Sequence, residues 1–334
     1  MSEPSDSAVW LASVEQRYSA RCELTFPAVP TLLNHYAEIL EHHFESLGRP
    51  MTDKQRTGLL ELLGAKLTEA HASGAQSNVF VRYQLDRGSG EIFYEIASAA
   101  SSLEEEYEYW VSQRVGSLFG RNPDARVLEL VGSKPTNLRI LDVGAGTGRN
   151  SIPLAEAGHQ VVAIELAPAL ADVLQDEAES RRMSFPVVCG SALDPDLVIP
   201  LAPFDLVIAA EVLPHLRSVD EVTRLLTRLA ALSKPDASLL VSVFLSHAGY
   251  QPSQLAREAA QVAWSAFLTP DEFMTACANS GWKAVEQQPV LTYERKRALS
   301  WPPTSWYESW TQGHDAFKGD DPPIALQWLL LSRT

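Results

Sequence analysis

The chain has 334 residues, 46% of them apolar and 21% charged, with a formal net charge of −15. That length exceeds one ordinary hydrophobic core and sets two units as the expectation. The acidic balance argues against a phosphate-backbone partner, and no window approaches the roughly 18 uninterrupted apolar residues of a membrane span. The polar, acidic start from Met1 to Ser7 is unlike a secretory leader, so the chain is read as cytoplasmic, with neither nucleic acid nor membrane as partner.

In chain order, amphipathic stretches at Val9 to Tyr18, Thr31 to Leu47 and Asp53 to Ala72 predict helices, punctuated by Pro27, Pro30, Gly48 and Gly74. Val79 to Leu85 and Ile92 to Ile96 flank a glycine-containing loop and predict a β-hairpin. Ser102 followed by Glu105 makes a capping box for a helix through about Phe119. A mainly helical N-terminal cap or substrate domain over 1–125, with a hairpin near 79–96, is therefore expected ahead of a second domain over 134–334.

From Leu138 the texture changes to short apolar runs alternating with helical segments, which signals a parallel sheet. Seven candidate strands follow: Leu138 to Val143, Gln160 to Glu165, Phe185 to Cys189, Phe204 to Ala209, Ser238 to Phe244, Trp282 to Tyr293 and Ala325 to Ser332. Insertions are expected near 245–268 and 293–322. Cys22, Cys189 and Cys277 are widely separated and outside any Cys-x-x-Cys pair, so neither a disulfide framework nor a zinc site is supported.

The first strand of this half ends in Gly144-Ala-Gly-Thr-Gly148, where glycines let the backbone turn sharply and approach a ligand without Cβ obstruction. Seventeen residues on, the second strand ends in Glu165, a carboxylate able to accept hydrogen bonds from both hydroxyls of a ribose. NAD and S-adenosylmethionine (SAM) both fit an acid at this place. A dinucleotide fingerprint would need its third glycine at 149, where Arg149 stands.

The run Leu141-Asp-Val-Gly-Ala-Gly-Thr-Gly148, with Glu165, resembles motif I and the ribose-binding acid of class I SAM-dependent methyltransferases. Val188-Cys-Gly-Ser-Ala192 is similar to the end of that family's third strand, with Ser191 in place of the usual aspartate, and Phe204 to Leu216 resembles its fourth strand and the loop that closes over SAM. The resemblance covers about residues 134 to 334. It implies an α/β fold with a seven-stranded Rossmann-like sheet, mostly parallel with the last strand antiparallel. It also implies SAM as cofactor, with S-adenosylhomocysteine as product, and Asp142, Gly144, Ala145, Gly146, Gly148, Glu165, Leu166, Ser191, Ala192 and Glu211 as cofactor-binding residues.

In that family the loop after the fourth strand faces the methyl group, which makes His215 the candidate base, against the alternative of an orienting histidine. Glu104 to Trp110 reads either as bringing Tyr107 or Trp110 over the cofactor and substrate, since the helix before motif I often covers SAM in such folds, or as an acidic solvated face with its aromatics turned inward. His247 and Tyr250 follow the fifth strand and are candidate substrate contacts. The aromatic and proline-rich stretch Tyr293 to Trp310, with Trp306 as a candidate substrate contact, reads either as a substrate lid or as a surface loop stapled by its tryptophans. His42 and His43 are neighbours that do not share a helix face, and no metal is assigned. The expected activity is methyl transfer to an oxygen, nitrogen or carboxylate of a small molecule. A peptide or protein methyltransferase, a non-catalytic SAM-binding scaffold and an NAD-dependent oxidoreductase are the competing readings.

Overall fold

The computed structural model describes residues 21–86, 89–113 and 119–334. These form two compact units that divide between Ser102 and Leu103. The stretch Val9 to Tyr18 lies outside the described residues, as do part of the hairpin loop (87–88) and the end of the helix expected after Ser102 (114–118).

In the first unit, β2 (Asn78–Leu85) lies between β1 (Arg21–Pro27) and β3 (Ile92–Ala99) and is antiparallel to both. Val79, Val81, Tyr83 and Leu85 recur at every second position of β2 and are buried. Helices α1 (Leu33–Ser46) and α2 (Asp53–Ser73) contribute Leu40, Leu59, Leu63 and Leu67 to the core that holds Val79 and Val81. Thr52 and Gln55 cap α2 reciprocally, as the threonine side chain accepts the Gln55 N–H and the glutamine side chain accepts the Thr52 N–H. Strand β1 is an addition to the expected elements. It alternates Cys22, Leu24 and Phe26 with exposed neighbours, a period-two signal too short and too polar to stand out beside the helices.

The second unit opens with α3 (Leu103–Gln113) and α4 (Ala125–Gly132). It continues through β4 (Arg139–Val143), α5 (Ser151–Glu156), β5 (Gln160–Glu165), α6 (Pro168–Ser180), β6 (Val187–Cys189), β7 (Phe204–Ala209), α7 (Val219–Ala231) and β8 (Ser233–Ser246). After these come α8 (Gln254–Val262), β9 (Phe267–Leu268), α9 (Pro270–Asn279), β10 (Trp282–Pro289), α10 (Val290–Arg297), α11 (Tyr307–Thr311) and β11 (Ile324–Arg333). The division between units precedes the 125–134 boundary expected from sequence. Tyr107, Trp110 and Val111 of α3 pack on Ala167 and Leu170 beside the sheet, which ties that helix to the second unit.

The sheet runs β6-β5-β4-β7-β8-β11-β10, parallel through β8, with β11 antiparallel to both of its neighbours. This is the mostly parallel architecture that the sequence resemblance implies. Strand β9 adds a short parallel ladder at Phe244 and Leu245, past the end of β7. Buried strands faced by helices on both sides read as unbroken apolar runs, and β5 and β7 do so.

The expected strand Trp282 to Tyr293 is corrected. It ends at Pro289, which has no N–H to extend the ladder, and α10 begins at the next residue. Val290, Tyr293 and Glu294 then bury at helical spacing. The Glu294 carboxylate accepts the Ala125 and Arg126 backbone N–H groups at 2.8 and 3.1 Å and the Trp328 indole N–H at 3.0 Å. It thereby serves the N-terminus of α4 and joins it to β11. Among the described residues, no helix is long and apolar enough to cross a membrane.

Candidate active site

At β4 the strand order reverses, with β5 on one side and β7 on the other, so the loops leaving their carboxyl ends part around a crevice. A cavity of about 530 Å³ occupies it, lined within the second unit alone.

The glycine turn forms one wall. Gly144 and Ala145 donate their N–H groups to the Ile164 carbonyl of β5 at 2.8 and 3.0 Å. Gly146 and Gly148 have φ of +55° and +89°, in the left-handed region that favours glycine. A Cβ on Gly148 would stand 2.2 Å from Leu174 Cδ1, so this glycine permits α6 to pack on the turn and does not itself line the cavity. Around Gly146 an added Cβ would meet only Phe119, at 3.6 Å, among the described residues, which leaves the backbone facing open space. The turn is a cradle against which a ligand can lie.

Glu165 ends β5 and is only 4% exposed. Its Oε2 accepts the Gly146 N–H at 2.7 Å and its Oε1 accepts the Ala167 N–H at 2.9 Å. Burial raises its pKa, and the Ala167 and Gly146 N–H groups oppose that rise. Asp142 accepts the Ser151 hydroxyl at 2.6 Å, and burial pushes its pKa up to about 7. Leu166, Ser191, Ala192 and Glu211 also line the cavity. Ser191 Oγ accepts the Leu193 N–H at 3.2 Å, so the residue that stands in for an aspartate holds its own loop.

Arg149 has an environment that its sequence position does not announce. Its guanidinium donates to Asp124 Oδ1 at 2.7 Å and to Glu211 Oε1 at 2.6 Å. Burial opposes its charge, and Asp124 and Glu211 outweigh burial, so its pKa is raised. Asp124 is further fixed by Asn150 Nδ2 at 2.9 Å. Glu211, at φ +60°, donates its backbone N–H to Ser242 Oγ at 2.7 Å.

Across the cavity, the Tyr107 hydroxyl lies 3.0 Å from His215 Nε2. Burial lowers the His215 pKa to about 4, opposed by a bond to the Glu211 carbonyl, and burial raises that of Tyr107, with Glu165 and Glu211 adding to the rise. Both groups are therefore neutral near pH 7, with the phenol as donor and Nε2 as acceptor. Trp264 packs against both, its ring centroid 5.8 Å from Tyr107 and 5.4 Å from His215, and Trp110 lies 4.9 Å from Trp264. Trp306 and Trp310 continue this wall, and the Trp310 indole N–H donates to the Trp264 carbonyl at 3.1 Å. The stretch Tyr293 to Trp310 is thus ordered and stapled by tryptophans while two of them face the cavity.

His247 and Tyr250 are corrected. They fall outside the cavity, in the turn after β8, where His247 is exposed and Tyr250 packs near Phe267 and Phe317. The turn points β8 toward α8, and the aromatic position falls instead to Trp264, after that helix. Sequence reasoning missed Trp264, the ion pairs of Arg149, and Arg217, which also lines the cavity. The glycine mismatch at Arg149 was the one legible signal among them.

A family profile described as a methyltransferase domain matches residues 113–287. The ubiquinone biosynthesis O-methyltransferase of Bradyrhizobium sp. (strain ORS 278) is 30% identical over 166 residues, covering 47% of this chain and 62% of that protein. The magnesium-protoporphyrin O-methyltransferase of Rhodobacter capsulatus is 36% identical over 97 residues, covering 28% of this chain and 40% of that protein. Among solved structures, geranyl diphosphate C-methyltransferase from Streptomyces coelicolor A3(2) superposes with a TM-score of 0.50 at 14% identity, over 71% of this chain and 100% of that one. The last likeness concerns the fold. The chain spans under two thirds of the length of the first of these curated relatives.

Proposed function

This chain belongs to the methyltransferase domain family, the class I SAM-dependent methyltransferases, and from that premise we propose that it transfers a methyl group from SAM to an oxygen of a small-molecule acceptor. One observation carries the reading: a single cavity has the open face of Gly146 and the Glu165 carboxylate on one wall and the Tyr107–His215 pair among tryptophans on another. The oxygen acceptor is supported by the two O-methyltransferase relatives, and the enclosed aromatic wall favours a small molecule over a peptide.

SAM, when bound, supplies an electrophilic methyl group on a cationic sulfur. Gly144, Ala145 and Gly146 would hold its amino-acid portion, Glu165 its ribose, and Ser191, Ala192 and Leu166 its adenine. The acids Asp142, Glu165 and Glu211 make the surroundings hospitable to a cation. The aromatic wall keeps water from the reacting oxygen and orients the acceptor, and positioning of this kind is the main work of a displacement. Tyr107 Oη receives the hydroxyl proton of the acceptor as its own proton passes to His215 Nε2, so His215 acts as the proton acceptor through the phenol.

The test is incubation of the purified protein with radiolabelled SAM and a metabolite extract, followed by identification of the labelled product. A labelled ether or ester supports the proposal. Calorimetric titration that finds no SAM binding, or label found only on nitrogen, carbon or protein, ends it.

A further inference from the structure

Two cations line the cavity among the described residues, Arg149 and Arg217, and their circumstances differ. Arg149 is spent on Asp124 and Glu211. Arg217 stands just before Ser218, the N-cap of α7, and is held to α8 by a two-way clasp. Its Nε donates to Gln261 Oε1 at 2.9 Å, and Gln261 Nε2 donates back to the Arg217 carbonyl at 3.2 Å.

That clasp fixes the plane of the guanidinium while its two terminal amino groups make no hydrogen bond among the described residues. The nearby acids are Glu221 and Glu258, and neither hydrogen-bonds the guanidinium. Glu221 Oε2 accepts the Arg217 backbone N–H at 2.6 Å, and Glu258 Oε1 accepts Gln254 Nε2 at 2.7 Å. Burial lowers the Arg217 pKa, opposed by those two acids. A half-buried guanidinium on the cavity wall, whose two amino groups meet no acceptor among the described residues, can take an anionic ligand. The fork matches a carboxylate, which it can engage through two parallel N–H···O bonds.

We propose that Arg217 binds a carboxylate of the methyl acceptor, so that the acceptor is an apolar, ring-bearing acid that also carries the hydroxyl to be methylated. This rests on the methyltransferase reading above. The tryptophans hold the ring, Tyr107 faces the hydroxyl, and Arg217 reads the acid. The neutral analogue of such an acid leaves the guanidinium unpaired and binds more weakly.

The probes are 1-naphthoate and its neutral counterpart 1-naphthalenemethanol, titrated calorimetrically into the wild type, R217Q and R217K, with and without S-adenosylhomocysteine. The wild type should bind naphthoate roughly tenfold more tightly than the alcohol, the size expected for hydrogen bonds to a charged group. R217Q should lose that preference, and R217K, which keeps the charge without the fork, should retain part of it. S-adenosylhomocysteine affinity should be the same in all three proteins. Equal binding of acid and alcohol by the wild type, no binding of either, or a naphthoate preference that survives in R217Q overturns the proposal. Loss of S-adenosylhomocysteine binding in R217Q overturns it too, because Arg217 would then serve the cofactor. If the wild type fails to bind S-adenosylhomocysteine, the cofactor reading falls, and the naphthoate comparison on the unliganded protein still decides the role of Arg217. Should R217Q fail to fold by circular dichroism, R217K decides: a full tenfold preference there excludes fork recognition.

Discussion

Replacing Arg149 by methionine removes the one counter-charge that Asp124 and Glu211 share, while keeping a side chain of similar reach. The arginine is 10% exposed, and its partners 4% and 16%. Asp124 keeps its bond from Asn150, but among the described residues no other cation pairs with it. A buried carboxylate stripped of its partner relieves the strain by taking up a proton. A loss of about 4 kcal/mol is expected, the middle of the roughly 3 to 5 kcal/mol typical of broken buried pairs. At about 2 to 4 °C per kcal/mol for a unit of this size, melting should drop by roughly 8 to 16 °C.

The sign of the pH dependence follows. Burial raises the Glu211 pKa, Arg149 opposes that rise and Asp124 adds to it, so removing Arg149 raises it further; relative stability is therefore lost as pH rises above about 4 and is regained on acidification. Urea unfolding at pH 7 and pH 5 should therefore find a penalty near 4 kcal/mol at the higher pH and a smaller one at the lower. A variant within about 0.5 kcal/mol of the wild type at pH 7, or a penalty independent of pH, would refute the reasoning.

Gly146→Val should fold, with a loss of roughly 1 to 2 kcal/mol from a branched residue at φ +55°, yet fail to bind SAM in a calorimetric cell because its methyls enter the cavity. Undiminished affinity would remove the glycine cradle from the site. With His215 near a pKa of 4, the rate should show no acid limb at about 6.5, and Tyr107→Phe should lower kcat more than it raises KM. A limb at 6.5 in the wild type contradicts the neutral, enclosed imidazole. The raised pKa of Asp142, about 7, means that the folded protein loses stability as pH rises from about 4 toward 7. Asp142→Asn should flatten that slope in melts across the range, and an unchanged slope would clear Asp142 of responsibility.

Much of the sheet was legible because parallel strands buried on both faces leave unbroken apolar runs, as at Val161 to Ile164 and Leu206 to Ala209. Periodicity failed where tertiary context decides. At Val290 the apolar texture of β10 continues, but the chain turns helical because Tyr293 and Glu294 find burial against α4. Strand β9 is two residues held by its place beside β8, below any pattern threshold. The wall of the cavity formed by the glycine turn and Glu165 was legible because these residues are set by local backbone geometry. The partners of Arg149 lie 25 and 62 residues away, and Tyr107 meets His215 across 108. Pairings at that range leave no trace in a window of sequence.

The two halves of the cavity come from different kinds of chain. Gly144 to Gly146, Glu165, Ser191 and Glu211 hang from the ends of sheet strands, whereas Trp264, Trp306 and Trp310 sit on segments inserted before β9 and β11. Drift in the inserts leaves the strand ends where they are. In such a scaffold the inserted wall can be exchanged without moving the strand ends, and grafting residues 250–264 and 298–316 between relatives is the natural way to reshape the cavity.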